Sequence, residues 1–370
     1  MGYSAFSALQ PAQKIAWIRK VFVHVRDKSF FFKNGDSTGQ RAVHVINELT
    51  KTEKGDVAQI PLLFDLKGDG VVGDNERTGK QESMATAWCS VKIDQLYHMV
   101  GNAGKMEEQK SVVSAREYAR PQLTKWWADK IDELAFLTLS GISYAYNLDG
   151  STRTASELPT LAFASDVSAP SANRHVRWNG TALVAGATGS IDSSHVLSYK
   201  ALTEINAFAK ENYIPGIESG GDEYRLLILN PLVHAKLKQD ADYQRSVNSG
   251  ADRGITKNPW FTGGDVMVDG LVVKSHNRIF NTRGAAGGLK WGAGGNINGC
   301  RNLLLGAQAL ALADLSDTGS WNEEMENKGN RWTIGMDRMF GMRKTVFPSK
   351  LAPTGGLEDF ATLAIDSYLG

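Results

Sequence analysis

Asp65, Asp69, Gly70 and Glu76 are the residues that come nearest to a metal site. They occupy the first, fifth, sixth and twelfth positions of a twelve-residue calcium loop, where convergent oxygens hold the ion. Lys67 spoils the match by putting a cation at the third ligand position. Aspartates and glycines that favour turns explain the pattern without a metal. The same segment carries Gly79-Lys80, which could begin to cradle a phosphate. Gln81 follows where Ser or Thr is needed, and Gly73 lies one residue too far back. The chain holds no GxSxG elbow, no HExxH, and no GxGxxG after a strand. Histidines 24, 44, 98, 175, 195, 234 and 276 are scattered, and none pairs with another at helical spacing. Sequence therefore nominates no catalytic residue, no metal ligand and no cofactor. A triad assembled only in space stays open.

Composition narrows the class. With 370 residues, 42% hydrophobic and 22% charged, the chain is long enough for one large or two modest globular domains. A net charge of +1 argues against a dedicated nucleic-acid binder. Charge is uneven, however. Residues 1–54 carry nine Lys/Arg against four Asp/Glu, while 351–370 carry three acids and no Lys or Arg. A basic arm and an acidic tail suit docking on neighbours, and solvated termini would look the same. Cys89 and Cys300 form neither a CxxC pair nor a disulfide framework, which favours a reducing compartment. The N-terminus does not read as a signal peptide, and no apolar run reaches the ~20 residues of a membrane helix, so no membrane partner is expected.

Periodicity supplies the elements. Residues 1–54 read as an arm, with a short amphipathic helix over Ala12–Phe22. Phe30, Phe31 and Phe32 then sit among polar residues, either laid on another subunit or packed in this chain's own core. Residues 55–100 predict a long β-hairpin, Asp56–Leu66 against Met84–Val100, around a polar tip at Lys67–Ser83. Leu123, Trp126, Trp127, Ile131, Leu134 and Leu137 share a helical stripe within 107–140. Pro121 predicts a break or kink near Arg120, and Gly141 a stop. Residues 145–195 read as an irregular insertion. A helix follows around Tyr199–Phe208, then a strand at Tyr224–Leu229. Asn230-Pro231 then opens a helix, and a hairpin turns at Asp269-Gly270. Leu303–Ala313 and Trp332–Phe347 predict late strands. The class is α+β.

This order of parts resembles the major capsid protein family of tailed bacteriophages, with the Hong Kong 97-type fold. More narrowly it is similar to capsid proteins of podoviruses like coliphage N-four. The residues that carry the resemblance are Gly55-Asp56, Ile60-Pro61-Leu62, Gly68 through Asp74, Glu76, Leu229-Asn230-Pro231 and Ile334–Lys344. The resemblance implies an N-arm (1–54), an extended hairpin loop (55–100) and a peripheral domain with a spine helix and insertion (101–195). It further implies an axial domain (196–320) and return strands with a C-terminal tail (321–370). It implies a homo-oligomer of pentamers and hexamers in an icosahedral shell around double-stranded DNA, with nonspecific DNA contact. A scaffolding protein, a portal and decoration proteins would be the other partners. There is little chain before the arm, which implies a separate scaffold. The location would be the virion, and the host cytoplasm during assembly. Phe30, Phe31, Phe32, Lys67, Asp69, Arg77 and Lys80 are the expected intersubunit contacts. An encapsulin-type nanocompartment shell is the alternative within the fold, and a soluble hydrolase the alternative from another class.

Overall fold

The computed structural model describes residues 29–370 except 34, 37–39, 47–54, 65, 67, 85, 111–114, 220, 251–265, 316–320 and 349–355. The helix expected at Ala12–Phe22 lies outside the described residues. Helices in chain order are α1 (Phe30–Lys33), α2 (Lys105–Lys110), α3 (Ala115–Ser140), α4 (Tyr199–Glu211), α5 (Pro231–Gln239) and α6 (Ala241–Gly250).

α3 is the spine. Its first half buries Leu123 and Trp127 and leaves Lys125 in solvent, as an amphipathic helix should. From Ile131 to Ser140 it is buried almost all round. The helix runs unbroken through Pro121, contrary to the expected break. Pro121 is exposed and only the seventh residue, so the lost backbone bond is outweighed by the packing of Ala119 and Leu123 on either side. The stop at Gly141 holds. Ile142 N–H donates to Leu137 O at 3.0 Å, and Gly141 N–H to Thr138 O at 3.1 Å. Gly141 has φ +66°, and a Cβ there would sit 2.5 Å from Ser168 O. Gly141→Ala is expected to cost about 3 kcal/mol, from the left-handed backbone and the clash together. A urea melt of the full chain checks this: an unchanged midpoint would refute it.

Two sheets flank the spine. The larger orders its strands β10 (Val266–Val268), β11 (Leu271–Ser275), β9 (Asp222–Leu229), β12 (Gly299–Leu305), β18 (Thr362–Tyr368), β6 (His175–Trp178) and β7 (Leu183–Ala185). β8 (Ile217–Ser219) pairs with β9 off that path. Asn230 caps α5 by accepting from Leu232 N–H at 3.1 Å, and Asp269 and Gly270 both take positive φ in the β10–β11 turn, as expected. The second sheet orders β1 (Gly35–Asp36), β2 (Val43–Ile46), β13 (Leu310–Asp314), β15 (Arg331–Lys344) and β14 (Trp321–Glu326), with β5 (Asp94–Gly101) also on β15. β16 (Val346–Pro348) pairs with β17 (Leu357–Asp359).

The sheets cut across the expected boundaries. The Leu303–Ala313 run is two strands in two sheets, β12 and β13. β6 and β7, from the supposed insertion, extend the same sheet as β9 and β12. β18, from the tail, pairs along all of β12. Apolar period marks a strand but carries no information about which sheet it joins.

Candidate assembly surface

β3 (Val57–Leu63) and β4 (Thr86–Lys92) form a two-stranded hairpin that pairs with nothing else among the described residues. The hairpin ends at Lys92, not at Val100. β5 leaves it and joins β15 over eight residue pairs. The chain bends at Ile93, whose N–H donates to Asp56 O at 2.9 Å. The Asp94 carboxylate then accepts Ala162 N–H at 2.7 Å. The sequence does contain this bend: the alternation slips one residue between Ile93 and Leu96.

Cross-strand register sorts the hairpin's faces. Ala58 pairs with Val91, Ile60 with Cys89 and Leu62 with Ala87 on one face. That face is closed at its root, where Ala58 and Val91 pack on Ile46 of β2 and Ala311 and Ala313 of β13. The root is also bonded. Arg343 donates to Ser90 O at 2.6 Å, and Lys92 N–H donates to the Asp166 carboxylate at 3.0 Å. The opposite face pairs Pro61 with Trp88 and Leu63 with Thr86. Trp88 is 60% exposed there and Leu63 58%. Covering such a tryptophan contributes about 2–3 kcal/mol. Pro61 withholds a backbone donor from β3 and so guards a free edge.

The tip beyond Leu63 lies open. Gly68 N–H donates to Glu82 at 2.7 Å, and Asn75 donates to Val72 O at 2.7 Å. Asp69, Arg77 and Lys80 are exposed on it. Lys67 and Asp65 lie outside the described residues. Among the described residues no three His, Cys, Asp or Glu side chains gather as a metal site.

Phe30 and Phe31 are corrected. Both face this chain's own core: Phe31 is buried, 4.7 Å from the Phe136 ring, and Phe30 stacks on Phe136 at 6.0 Å. Asp132 on the spine accepts both of their N–H groups. They need no neighbour because α1 packs them inward. Phe32 lies in α1, and its side chain is outside the description. Sequence reasoning missed Trp88 as an outward residue. The available signal was its phase, one residue out of step with Val91 and Ile93.

The interior holds buried ion pairs. Asp366 is fully buried and takes Arg301 Nε at 2.8 Å and His175 Nε2 at 2.6 Å. Burial alone would raise its carboxyl, but Arg301 and His175 together hold it below the usual carboxylate range. Lys344 donates to Asp359 at 2.8 Å with both side chains almost wholly buried. Arg338 meets Asp314 at 2.7 Å. These pairs join strands to strands.

Residues 6–369 match the family model described as phage capsid protein. The chain is 40% identical over 367 residues to the major capsid protein of Pseudomonas phage KPP25, covering 98% of this chain and 97% of that one. It is similar in fold to the capsid of Ralstonia phage GP4, with TM-score 0.72, 22% identity and coverage of 92% and 91%. The Cyanophage Pam1 capsid gives TM-score 0.71 at 18% identity, covering 92% of each chain. The shared architecture is the α+β Hong Kong 97-type fold. Family, relative and fold agree, and the chain therefore belongs to the phage capsid protein family, as a structural subunit of the icosahedral virion shell and not as an enzyme.

Proposed function

We propose that the β3–β4 hairpin is the intersubunit clamp of this shell. One observation carries the reading: a bonded root supports a hairpin whose outer face leaves Trp88, Leu63 and Pro61 uncovered. An isolated two-stranded ribbon is marginal in water, whereas one laid on a second copy gains buried area. Contacts of this head-to-tail kind close into the pentamers and hexamers of a shell. Asp69, Arg77 and Lys80, with Lys67, meet the neighbour's charges at the tip. The described tip also carries Asp74, Glu76 and Glu82, so its acids outnumber its bases and its receiver carries basic groups as well as acidic ones.

Residues 1–54 serve as the arm and 55–92 as the extended loop. α3 with the β5–β15 sheet forms the peripheral domain, and the β9–β12 sheet forms the axial domain. Assembly takes place in the host cytoplasm with a scaffolding protein and a portal, and decoration proteins attach outside. Packaged DNA is touched nonspecifically through Lys and Arg.

The test is Trp88→Ser co-expressed with the phage's scaffold. Particle yield by sedimentation and electron microscopy should fall about tenfold or more, since about 2 kcal/mol is lost at each of many repeated contacts. Circular dichroism should show an unchanged monomer. Wild-type yield from the variant would remove the hairpin from the interface.

A further inference from the structure

The root of the arm is held by one carboxylate. Asp132, midway along the spine, accepts Ser29 Oγ and Phe31 N–H on Oδ1. Its Oδ2 accepts Phe30 N–H at 3.0 Å and Arg278 Nη1 at 3.3 Å. The spine thus supplies, from another element, the N-terminal cap that α1 needs. Arg278 also donates to the Asp129 carboxylate and to Asp129 O, so it bridges β11's end to the spine.

His276 sits behind this clasp. Its ring stacks on Phe136 at 4.8 Å and lies against Phe30 at 5.0 Å. Its Nδ1 accepts the Arg278 N–H at 3.2 Å, which requires that nitrogen to be unprotonated. A second proton would go to Nδ1, face the Arg278 N–H and end that bond. It would also place a cation beside the Arg278 guanidinium. The charged groups acting on His276 are Asp132 from the spine and Arg278 just beyond β11, and Arg278 is itself paired with Asp129. Asp132 attracts the proton and Arg278 repels it.

We propose that His276 is a pH-sensitive latch on the arm: neutral, it keeps Arg278 and Asp132 clasping the Ser29–Phe31 turn, and protonated, it lets that turn go. Closed at the neutral pH of assembly, the latch fixes where the arm leaves its own subunit, and acid frees that root, which rests on the arm serving assembly as proposed above. Burial pushes the His276 imidazole down, the nearby Asp132 pulls it partly back, and Arg278 adds to the fall. A histidine depressed in the folded chain stabilises the clasp above its unfolded value of about 6.5. That contribution is lost as the pH drops through the lower, folded value.

The experiment is hydrogen exchange on the full unassembled chain in steps from about pH 7.5 to 4.5, corrected for intrinsic rates, around the histidine range. Protection of Phe30 and Phe31 should fall about tenfold per unit of linked titration while β12 stays protected. In His276→Gln the two amides should stay protected at the low end. Simultaneous loss in α1 and β12 of the wild type would overturn the latch without any variant. So would an identical pH profile in His276→Gln. Particle formation at neutral pH is scored separately. Particles without a latch defeat this inference alone, and a latch without particles defeats the clamp reading alone.

Discussion

Asp366→Ala should destabilise the fold by about 3–5 kcal/mol. The carboxylate takes two bonds from Arg301 and one from His175, with no solvent access of its own. Arg301 in turn donates to Ser140 O at 2.9 Å, at the C-terminal end of the spine. One pair therefore joins β12, β18, β6 and α3. Removing the acid strands a buried guanidinium, which is where the cost arises. The pH dependence follows in sign. A carboxyl held low in the folded chain contributes its full stability above the unfolded value, near 4, and loses it as pH falls through the folded one. Urea midpoints at stepped pH should show wild type losing stability on acidification and the variant losing less. A variant as stable as wild type at pH 7 would show that the pair contributes nothing.

The Lys344–Asp359 pair should behave differently when both partners are replaced. Burial pushes the Lys344 amine down and the Asp359 carboxyl up, despite their contact. Each charge is thus worse off in the fold than in water, and attraction does not recover the cost of burial. Lys344 does satisfy its donors, on Asp359, Ser168 O and Ala169 O. Asp359→Ala alone should cost about 3–5 kcal/mol, because it leaves the ammonium unpaired. Lys344→Met with Asp359→Leu should be neutral or stabilising by about 1–4 kcal/mol. Here the signs reverse relative to Asp366: stability falls as pH rises from the unfolded aspartate value through the raised one. It climbs again as pH rises from the lowered lysine value towards 10.5. Denaturant melts of the single and double variants decide the matter. A double variant as damaged as the single would overturn it.

Much of the local structure is legible in the residues themselves. The spine's stripe, its stop at Gly141, the Asn230-Pro231 helix start and the Asp269-Gly270 turn all follow from short-range rules of spacing, capping and backbone angle. So does the existence of a hairpin with an open polar tip. These features depend on neighbours within a few residues, and sequence records those neighbours directly.

Tertiary structure alone decided the rest. Strand partnership was hidden. β5 left the hairpin, β12 and β13 parted into two sheets, and the tail strand β18 came to the centre of the larger one. Period-two alternation shows that a residue faces a core but not which core. Phe30 and Phe31 turned inward because Asp132, a hundred residues away, accepts their amides. Buried ion pairs depend on such distant meetings too, since a charged residue's cost is fixed only by the partner that folding brings to it. The sequence determined that this chain makes a spine, sheets and an outstretched hairpin. Only long-range packing decided which faces remain exposed.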